Sequence, residues 1–195
     1  MILLAAILVG GLAGFIVAKL RKQPWTLPPV RHPWLVVVAF LPQFFAFFLP
    51  ATRDRMPDTW AAISLFSSDV IFLVFCWVNR RMAGFGLLLG GTVCNLVVIG
   101  MNGGFMPISP GTASHLISAD LLASLPLGER FGLGKDILLQ PADTNLVWLS
   151  DIFLLPGWVR NQVAFSLGDI FISCGAFWLL ATWGTPWIKL NQERK

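Results

Sequence analysis

Apolar runs of similar length recur along the chain, separated by stretches that hold polar residues, Gly and Pro. A helix that crosses a membrane takes about 20 predominantly apolar residues, because the hydrocarbon core is about 30 Å thick and each residue rises about 1.5 Å. Pro42 lies inside the second run and lacks the N–H that a helix interior needs, so we expect a kink there. The runs predict five transmembrane helices, over residues 1–20, 33–50, 59–78, 82–101 and 163–187.

Residues 102–162, between the fourth and fifth runs, follow a different pattern. They are rich in Gly and Pro and cannot cross a membrane as a regular helix. Residues 113–126 predict a helix lying on the membrane surface, and residues 145–156 suit a re-entrant or interfacial segment. The pattern therefore predicts an all-α integral membrane protein, a single domain over residues 1–195. It would have about five transmembrane helices and a long, partly re-entrant or interfacial segment before the last.

Composition supports a membrane protein, since 56% of the residues are hydrophobic and 12% are charged, against about 25% charged in soluble domains. The net charge of +4 fits Lys and Arg in cytoplasmic loops, and we expect the lipid bilayer rather than nucleic acid as the partner. Neither histidine has a second ligand at a suitable spacing, so we expect no metal and no other cofactor.

Basic residues orient the predicted helices. With the N-terminus outside, the inner loops and the tail hold Lys19, Arg21, Lys22, Arg31, Arg80, Arg81, Lys189, Arg194 and Lys195. The outer side holds Arg53, Arg55, Arg130, Lys135 and Arg160, spread over a greater length. Cytoplasmic loops carry the excess of Lys and Arg, so the N-terminus is expected outside, the C-terminus in the cytoplasm and residues 102–162 on the outer face.

Two pairs of glycines and one acidic residue concern contacts between the helices. Gly10 and Gly14, and likewise Gly86 and Gly90, are spaced four apart, which predicts close helix packing. Asp69 lies near the middle of the third run. We expect it to fasten two helices, by pairing with Ser or backbone, rather than to carry protons.

Polar groups within apolar helices are costly, and they are therefore candidates for function. Asp169 is six residues into the fifth run and Asn95 is six residues before the end of the fourth, so both lie about 9 Å deep. Ser166 shares a helix face with Asp169, and Asn102 shares one with Asn95. Asp151 precedes the fifth run on the same outer side.

These residues predict a site with catalytic Asp151 and Asp169, and with Asn95, Asn102 and Ser166 binding the substrate. Two nearby carboxyls can share a proton and act together as acid and base. A structural role fits the same residues: Asp169 would hydrogen-bond Asn95 to fasten two helices, and Asp151 would cap a short helix.

Three stretches resemble signal peptidase II, the lipoprotein signal peptidase: "GGTVCNL" (90–96), "LSDIF" (149–153) and "FSLGDIFISCGAFWLL" (165–180). The resemblance implies an aspartyl peptidase in which Asp151 and Asp169 are catalytic and Asn95 shapes the site. The chain departs from that family after Asn95-Leu96, where Val97-Val98-Ile99 replaces Ile-Asp-Arg.

Over its whole length the chain more closely resembles a bacterial multi-pass membrane family of unknown function. The motifs are "NGGFMP" (102–107), "KDILL" (135–139), "LSDIFLLP" (149–156) and "SLGD" (166–169). Membership implies the bacterial cytoplasmic membrane, and it suggests that both aspartate motifs and the NGG turn form one site.

Three functions fit these observations. The first is a hydrolase that resembles signal peptidase II and cleaves a lipid-anchored substrate at the outer leaflet. The second is a non-enzymatic accessory or binding subunit of a larger membrane complex, with a membrane protein as its partner. A carrier of ions or small molecules that uses Asp69 and Asp169 is the third, and five helices without an internal repeat do not favour it.

Overall fold

The computed structural model describes residues 2–159 and 161–182, and 59% of these residues are in helices. They form eight α-helices: α1 (Ile2–Leu20), α2 (Trp34–Gln43), α3 (Pro50–Arg53), α4 (Asp58–Val78), α5 (Phe85–Met101), α6 (Pro110–Ala113), α7 (Ala119–Ala123) and α8 (Leu167–Thr182). The same residues form four short strands: β1 (Met106–Ile108), β2 (Asp136–Leu138), β3 (Phe153–Leu154) and β4 (Ala164–Phe165).

Five apolar helices stand side by side in the order α2, α4, α5, α8, α1. By length and composition, α1 and α4 could cross a membrane. The other three are shorter apolar helices as described, and residues 183–187 of the fifth predicted span lie outside the described residues. Met1, Arg160 and the predicted cytoplasmic tail with Lys189, Arg194 and Lys195 also lie outside them.

The five helices alternate in direction along the chain. Phe66 packs on Gly100 and Phe75 on Phe85, so α4 and α5 are antiparallel. The backbone N–H of Arg31 donates to Asn79 at the end of α4, which makes α2 antiparallel to α4. Each helix therefore begins at the end of the bundle where the previous one stops. We call the end that carries residues 102–166 the segment end, and the end with residues 21–33 and 79–84 the loop end.

Glycines let α5 and α8 approach closely as antiparallel neighbours. A Cβ added to Gly91 would lie 2.5 Å from the Gly168 carbonyl oxygen, and one added to Gly175 would lie 2.7 Å from that of Gly84. Such distances leave no room for a side chain, so backbone packs directly on backbone.

The two predicted glycine pairs had different outcomes. Gly10 packs against the backbone of Phe177 and Gly14 against that of Leu180, which confirms the first pair and shows that α1 and α8 run parallel. Gly86 and Gly90 differ, because no neighbouring atom of the described residues lies within 4 Å of a Cβ added at either position. Gly91, one residue after Gly90, packs against α8 instead.

The second apolar run changes its helical geometry after Pro42. Residues Phe44–Phe48 form a π-helix, and the backbone N–H of Leu49 donates to the Phe44 carbonyl at 3.0 Å. A proline and a widened turn are recognised causes of helix distortion. The irregularity expected at Pro42 therefore takes the form of a π-turn in the following residues.

Residues 102–162 are not purely helical, which corrects the all-α prediction. β1 pairs with β2 in parallel, and β3 pairs with β4 in antiparallel. The surface helix expected over residues 113–126 is reduced to the short α6 and α7, because extended Ser118 interrupts it. Residues 145–156 contain a 3₁₀ turn over Val147–Leu149 and then β3.

Candidate functional site

The turn after α5 places β1. Gly103 and Gly104 have φ angles of +75° and +87°, in the left-handed region where glycine carries no steric penalty. A Cβ on Gly104 would also lie 2.7 Å from the Ala62 Cβ on α4. The two glycines of "NGGFMP" therefore turn the chain sharply and let β1 begin against the end of the bundle.

Asn102 fixes that turn from within. Its side-chain amide donates to the carbonyls of Val98 at 2.7 Å and Asn145 at 3.0 Å, and its oxygen accepts from the Asn145 backbone N–H at 2.9 Å. Asn145 in turn donates to the Met101 carbonyl at 2.9 Å. The predicted substrate-binding Asn102 is thus a buried side chain that ties the end of α5 to the segment before Asp151.

β1 lies between the two residues that form the centre of the site. The backbone N–H of Met106 donates to the Lys135 carbonyl at 3.0 Å, and that of Asp151 donates to the Pro107 carbonyl at 3.0 Å. Three residues of strand therefore bring Lys135 and Asp151 together, although 15 residues separate them in the sequence.

Arg130 supports the turn that carries Lys135. Its guanidinium donates to the carbonyls of Leu133 at 2.7 Å and Gly134 at 2.8 Å, and it reaches Asp58 at the start of α4 at 3.2 Å. The Arg130 side chain is 4% exposed. A buried guanidinium with its donors satisfied in this way fixes the turn to the bundle.

Lys135 and Asp151 form an ion pair, with 2.7 Å between Nζ and Oδ2. Lys135 also contacts Asp136 at 2.9 Å. The Asp151 side chain is 1% exposed and that of Lys135 is 40% exposed, so the pair links a buried carboxyl to a cation that reaches the surface. The other Asp151 oxygen, Oδ1, is buried and accepts no hydrogen bond from the described residues.

Burial is the main influence on Asp151 and raises its pKa to about 7, because a charged carboxylate loses its solvation there. The Lys135 ammonium lowers this pKa, while the charges of Asp136 and Asp169 raise it. For Lys135, burial lowers the pKa, but Asp136, Asp151 and Asp169 outweigh it and raise the pKa well above its ordinary value. Asp151 is therefore a carboxyl that exchanges its proton near neutral pH beside a lysine that stays charged.

Asp169 occupies a closed hydrogen-bond network. Its Oδ1 accepts from the Asn95 side-chain amide at 3.1 Å, and its Oδ2 accepts from the Ser166 backbone N–H at 3.1 Å. Ser166 Oγ accepts from the Asp169 backbone N–H and donates to Asn95 Oδ1, both at 3.0 Å. Ser166 and Asp169 thus make a reciprocal cap at the start of α8, which explains why α8 begins at Leu167 and not at 163.

The predicted contact between Asn95 and Asp169 is confirmed by this network. The structure joins Asn95, Ser166 and Asp169 directly and places Asp151 with Lys135 instead. The two aspartates are linked electrostatically, since the charge of Asp169 acts on both Asp151 and Lys135.

Asp69 belongs to the same electrostatic neighbourhood. Ala62, Leu65 and Asp69 follow one face of α4: Ala62 packs on Gly104, and Leu65 joins the core cluster that holds Met106. Lys135 and Asp169 both act on the Asp69 carboxyl. No hydrogen bond to the Asp69 carboxyl occurs among residues 2–159 and 161–182, whereas its neighbour Ser68 donates to the Ala39 carbonyl.

Sequence reasoning named the aspartates but missed Lys135, Asp136 and Arg130. The motif "KDILL" was visible, yet a lysine in a loop of a membrane protein is most simply explained by topology. The position of Lys135 beside Asp151 depends on the pairing of β1 with β2, and strands of three residues leave no pattern in a sequence.

Among the described residues, no group of three or more His, Cys, Asp or Glu side chains is arranged to hold a metal ion.

Comparison with known proteins gives one result at the level of the family. No curated protein and no solved structure gives a significant match. The model of a family of unknown function (DUF5317) matches residues 28–181. These residues include the four motifs that build the site, over residues 102–107, 135–139, 149–156 and 166–169. The chain belongs to that family.

Proposed function

We propose that the protein is a multi-pass protein of the bacterial cytoplasmic membrane that hydrolyses a lipid-anchored substrate at the outer leaflet. In this proposal the five apolar helices cross the bilayer, with the N-terminus outside and the C-terminus in the cytoplasm. The alternating helix directions support it, because every helix of a multi-pass protein must reverse the direction of the previous one.

The distribution of charge supports the same orientation. The loop end carries Arg21, Lys22, Arg31, Arg80 and Arg81 in two short connections, and Lys19 in the last turn of α1. At the segment end, Arg53 pairs with Asp54, Arg130 is buried against Asp58 and Lys135 is held by two carboxylates, which leaves Arg55 as the basic residue there without a carboxylate partner among the described residues. Basic charge without an acidic partner in the described part of the chain therefore concentrates at the loop end, which fits the cytoplasmic side.

One observation carries the hydrolase proposal: Asp151 is buried, its pKa is raised to about 7, and no donor among the described residues reaches its Oδ1. A general acid or base works best when its pKa lies near the working pH. A buried acceptor without a partner costs about 1–3 kcal/mol, which a substrate or water that donates to it would relieve. Asp151 therefore has the protonation behaviour that acid–base chemistry requires, and one of its carboxyl oxygens has no partner among the described residues.

The proposed reaction is the hydrolysis of a peptide bond. Asp169 takes a proton from water, the water oxygen attacks the carbonyl carbon, and Asp151 gives its proton to the carbonyl oxygen. When the tetrahedral intermediate collapses, the C–N bond breaks, the nitrogen takes the proton from Asp169 and the hydroxyl proton returns to Asp151. The products are a carboxylic acid and an amine, and both aspartates are restored.

The polar neighbours have positioning roles in this proposal. Asn95 and Ser166 orient the Asp169 carboxyl through its two oxygens. Asn102 holds the loop that leads to Asp151 rather than the substrate itself. The contacts of Asn95 and Ser166 with a substrate stay a prediction.

The test uses the full chain in lipid nanodiscs with a set of lipid-anchored fluorogenic peptides. Asp151→Asn and Asp169→Asn should each reduce cleavage by at least about 10²-fold, as expected when an acid or base is lost. Asp143→Asn, at an exposed aspartate of the same segment, is the matched control and should keep full activity. Cleavage that survives in the folded Asp151→Asn, Asp169→Asn double variant would exclude the hydrolase.

A second candidate, a non-enzymatic accessory subunit, is favoured by the hydrogen bonds of Asp169. Both of its oxygens are used to cap α8 and to join α8 to α5 through Asn95, which is sufficient reason for an aspartate at this position. The same variants separate the two functions. An accessory subunit would keep a stably co-purifying membrane partner in Asp151→Asn, and the wild-type protein would cleave none of the peptides.

A further inference from the structure

Lys135 is held by more contacts than is usual for a lysine side chain that is 40% exposed. Its backbone carbonyl is fixed by Met106 at the start of β1, and its ammonium is fixed by two carboxylates at 2.7 and 2.9 Å. One of these, Asp151, is itself attached to β1 through the Pro107 carbonyl. The backbones of both partners of the ion pair are therefore hydrogen-bonded to the same three-residue strand, one on each side.

We infer that Lys135 is the positioning residue of the site: it holds one oxygen of the buried Asp151 and leaves the other without a partner among the described residues, while Asp136 also binds the lysine ammonium. This inference rests on the proposed hydrolase function. It assigns a role to Lys135 and Asp136, neither of which belongs to the predicted catalytic pair of Asp151 and Asp169.

The asymmetry of Asp151 supports this role over that of a structural salt bridge. A carboxylate buried for stability alone would have both oxygens satisfied, because an unpaired buried acceptor is costly. Here Lys135 satisfies Oδ2 only, and Oδ1 is buried without a donor in the part of the chain that the structure describes. The ion pair thus fixes the carboxyl group in one orientation and keeps half of it available.

The neighbouring charges give Lys135 and Asp136 opposite effects on Asp151. The charged groups that act on Asp151 are Lys135 and Asp136 at β2 and Asp169 at the start of α8. Lys135 and Asp169 also act on the Asp69 carboxyl of α4. The ammonium favours the ionised form of Asp151, whereas the Asp136 carboxylate favours its protonated form.

Titration of the Asp151 carboxyl tests the inference without any substrate. The full chain in lipid nanodiscs would be followed by infrared spectroscopy, with the C=O band of protonated Asp151 identified by its loss in Asp151→Asn. In Lys135→Met the midpoint of this band should rise by about 1–3 pH units, and in Asp136→Asn it should fall. Lys135→Arg, which keeps the charge, should stay near the wild-type midpoint.

Opposite shifts in the two variants would support the inference, because general loss of structure would not move the midpoint in two directions. Unchanged midpoints in folded Lys135→Met and Asp136→Asn would overturn it. If Lys135→Met does not fold, a midpoint that fails to fall in Asp136→Asn overturns it alone. Opposite shifts together with no peptide cleavage by the wild type would retain the positioning of Asp151 and reject the hydrolase.

Discussion

At the scale of single residues, Asp151 and Asp169 show how one residue type serves two purposes in one site. Asp169 accepts hydrogen bonds on both oxygens, from Asn95 and from the Ser166 backbone, so helix capping and helix contact account for it locally. Asp151 is 1% exposed and has one charge-assisted partner. Its environment is costly for stability, which is typical of residues kept for function.

This cost predicts how stability depends on pH. The pKa of Asp151 is raised to about 7, above the value of about 3.9 in an unfolded chain, so the folded protein binds more protons between these values. Its contribution is therefore fully present below about pH 4 and is lost as the pH rises through 7. The loss would be on the order of 4 kcal/mol.

Thermal unfolding in nanodiscs between pH 4 and 8 would measure this contribution. The midpoint of wild type should fall as the pH rises, and Asp151→Asn should flatten the decline. Asp143→Asn should keep the wild-type slope, because that carboxyl is exposed. Equal slopes in wild type and Asp151→Asn would show that Asp151 is ionised with its ordinary pKa.

At the scale of secondary structure, two adjacent glycines of α5 offer a matched pair. A Cβ on Gly91 would meet the Gly168 carbonyl oxygen at 2.5 Å, whereas one on Gly90 would meet no neighbouring atom of the described residues within 4 Å. Gly91→Ala should destabilise the protein by about 1–3 kcal/mol through overpacking. Gly90→Ala should be neutral or stabilise it by up to about 1 kcal/mol, because alanine is the better helix former.

Chemical unfolding of both variants would measure the difference. Gly91→Ala should also disturb the site, because α8 carries Gly168 next to Asp169 and cannot move away without stretching the Asn95–Asp169 contact. Equal stability of the two variants would mean that α5 and α8 do not pack through Gly91.

The same helices show what a sequence can predict here. Hydropathy alone located the five apolar helices, because each is long and apolar throughout. Counting along the helices predicted the Asn95–Asp169 contact, since depth follows from a constant rise. Neither approach distinguished Gly86 and Gly90 from Gly91, because the spacing of glycines does not reveal which helix face meets a neighbour.

The remaining part of the site depends on contacts that no periodic pattern encodes. β1 and β2 have three residues each, too few to show alternation, and their pairing brings Lys135 to Asp151 together with the hydrogen bond from the Asp151 backbone to the Pro107 carbonyl. The surface helix expected over residues 113–126 does not form as one helix, because the local backbone conformation, such as the extended backbone of Ser118, outweighs the apolar content of the segment. The sequence motifs predicted a single site, and the positions of β1 and β2 determine which of its residues are in contact.

At the scale of the whole molecule, the position of the site follows from the topology. The site lies at the segment end, where the turn after α5, the Lys135 turn and the start of α8 converge. Among the described residues, the Lys and Arg side chains without a carboxylate partner lie at the loop end, except Arg55. If the helices cross a membrane, the site faces outward, at the level where a lipid-anchored substrate would lie.

Cysteine labelling tests this orientation. Ser124→Cys at the segment end and Arg81→Cys at the loop end are both at exposed positions. They would be made in a background without the native Cys76, Cys94 and Cys174. A membrane-impermeant maleimide added to intact spheroplasts should label residue 124 at once and residue 81 only after permeabilisation, because the loop end carries the basic residues. The reverse pattern would place the site in the cytoplasm and exclude any lipid-anchored substrate of the outer leaflet. Labelling of both positions without permeabilisation would contradict a membrane-spanning bundle altogether.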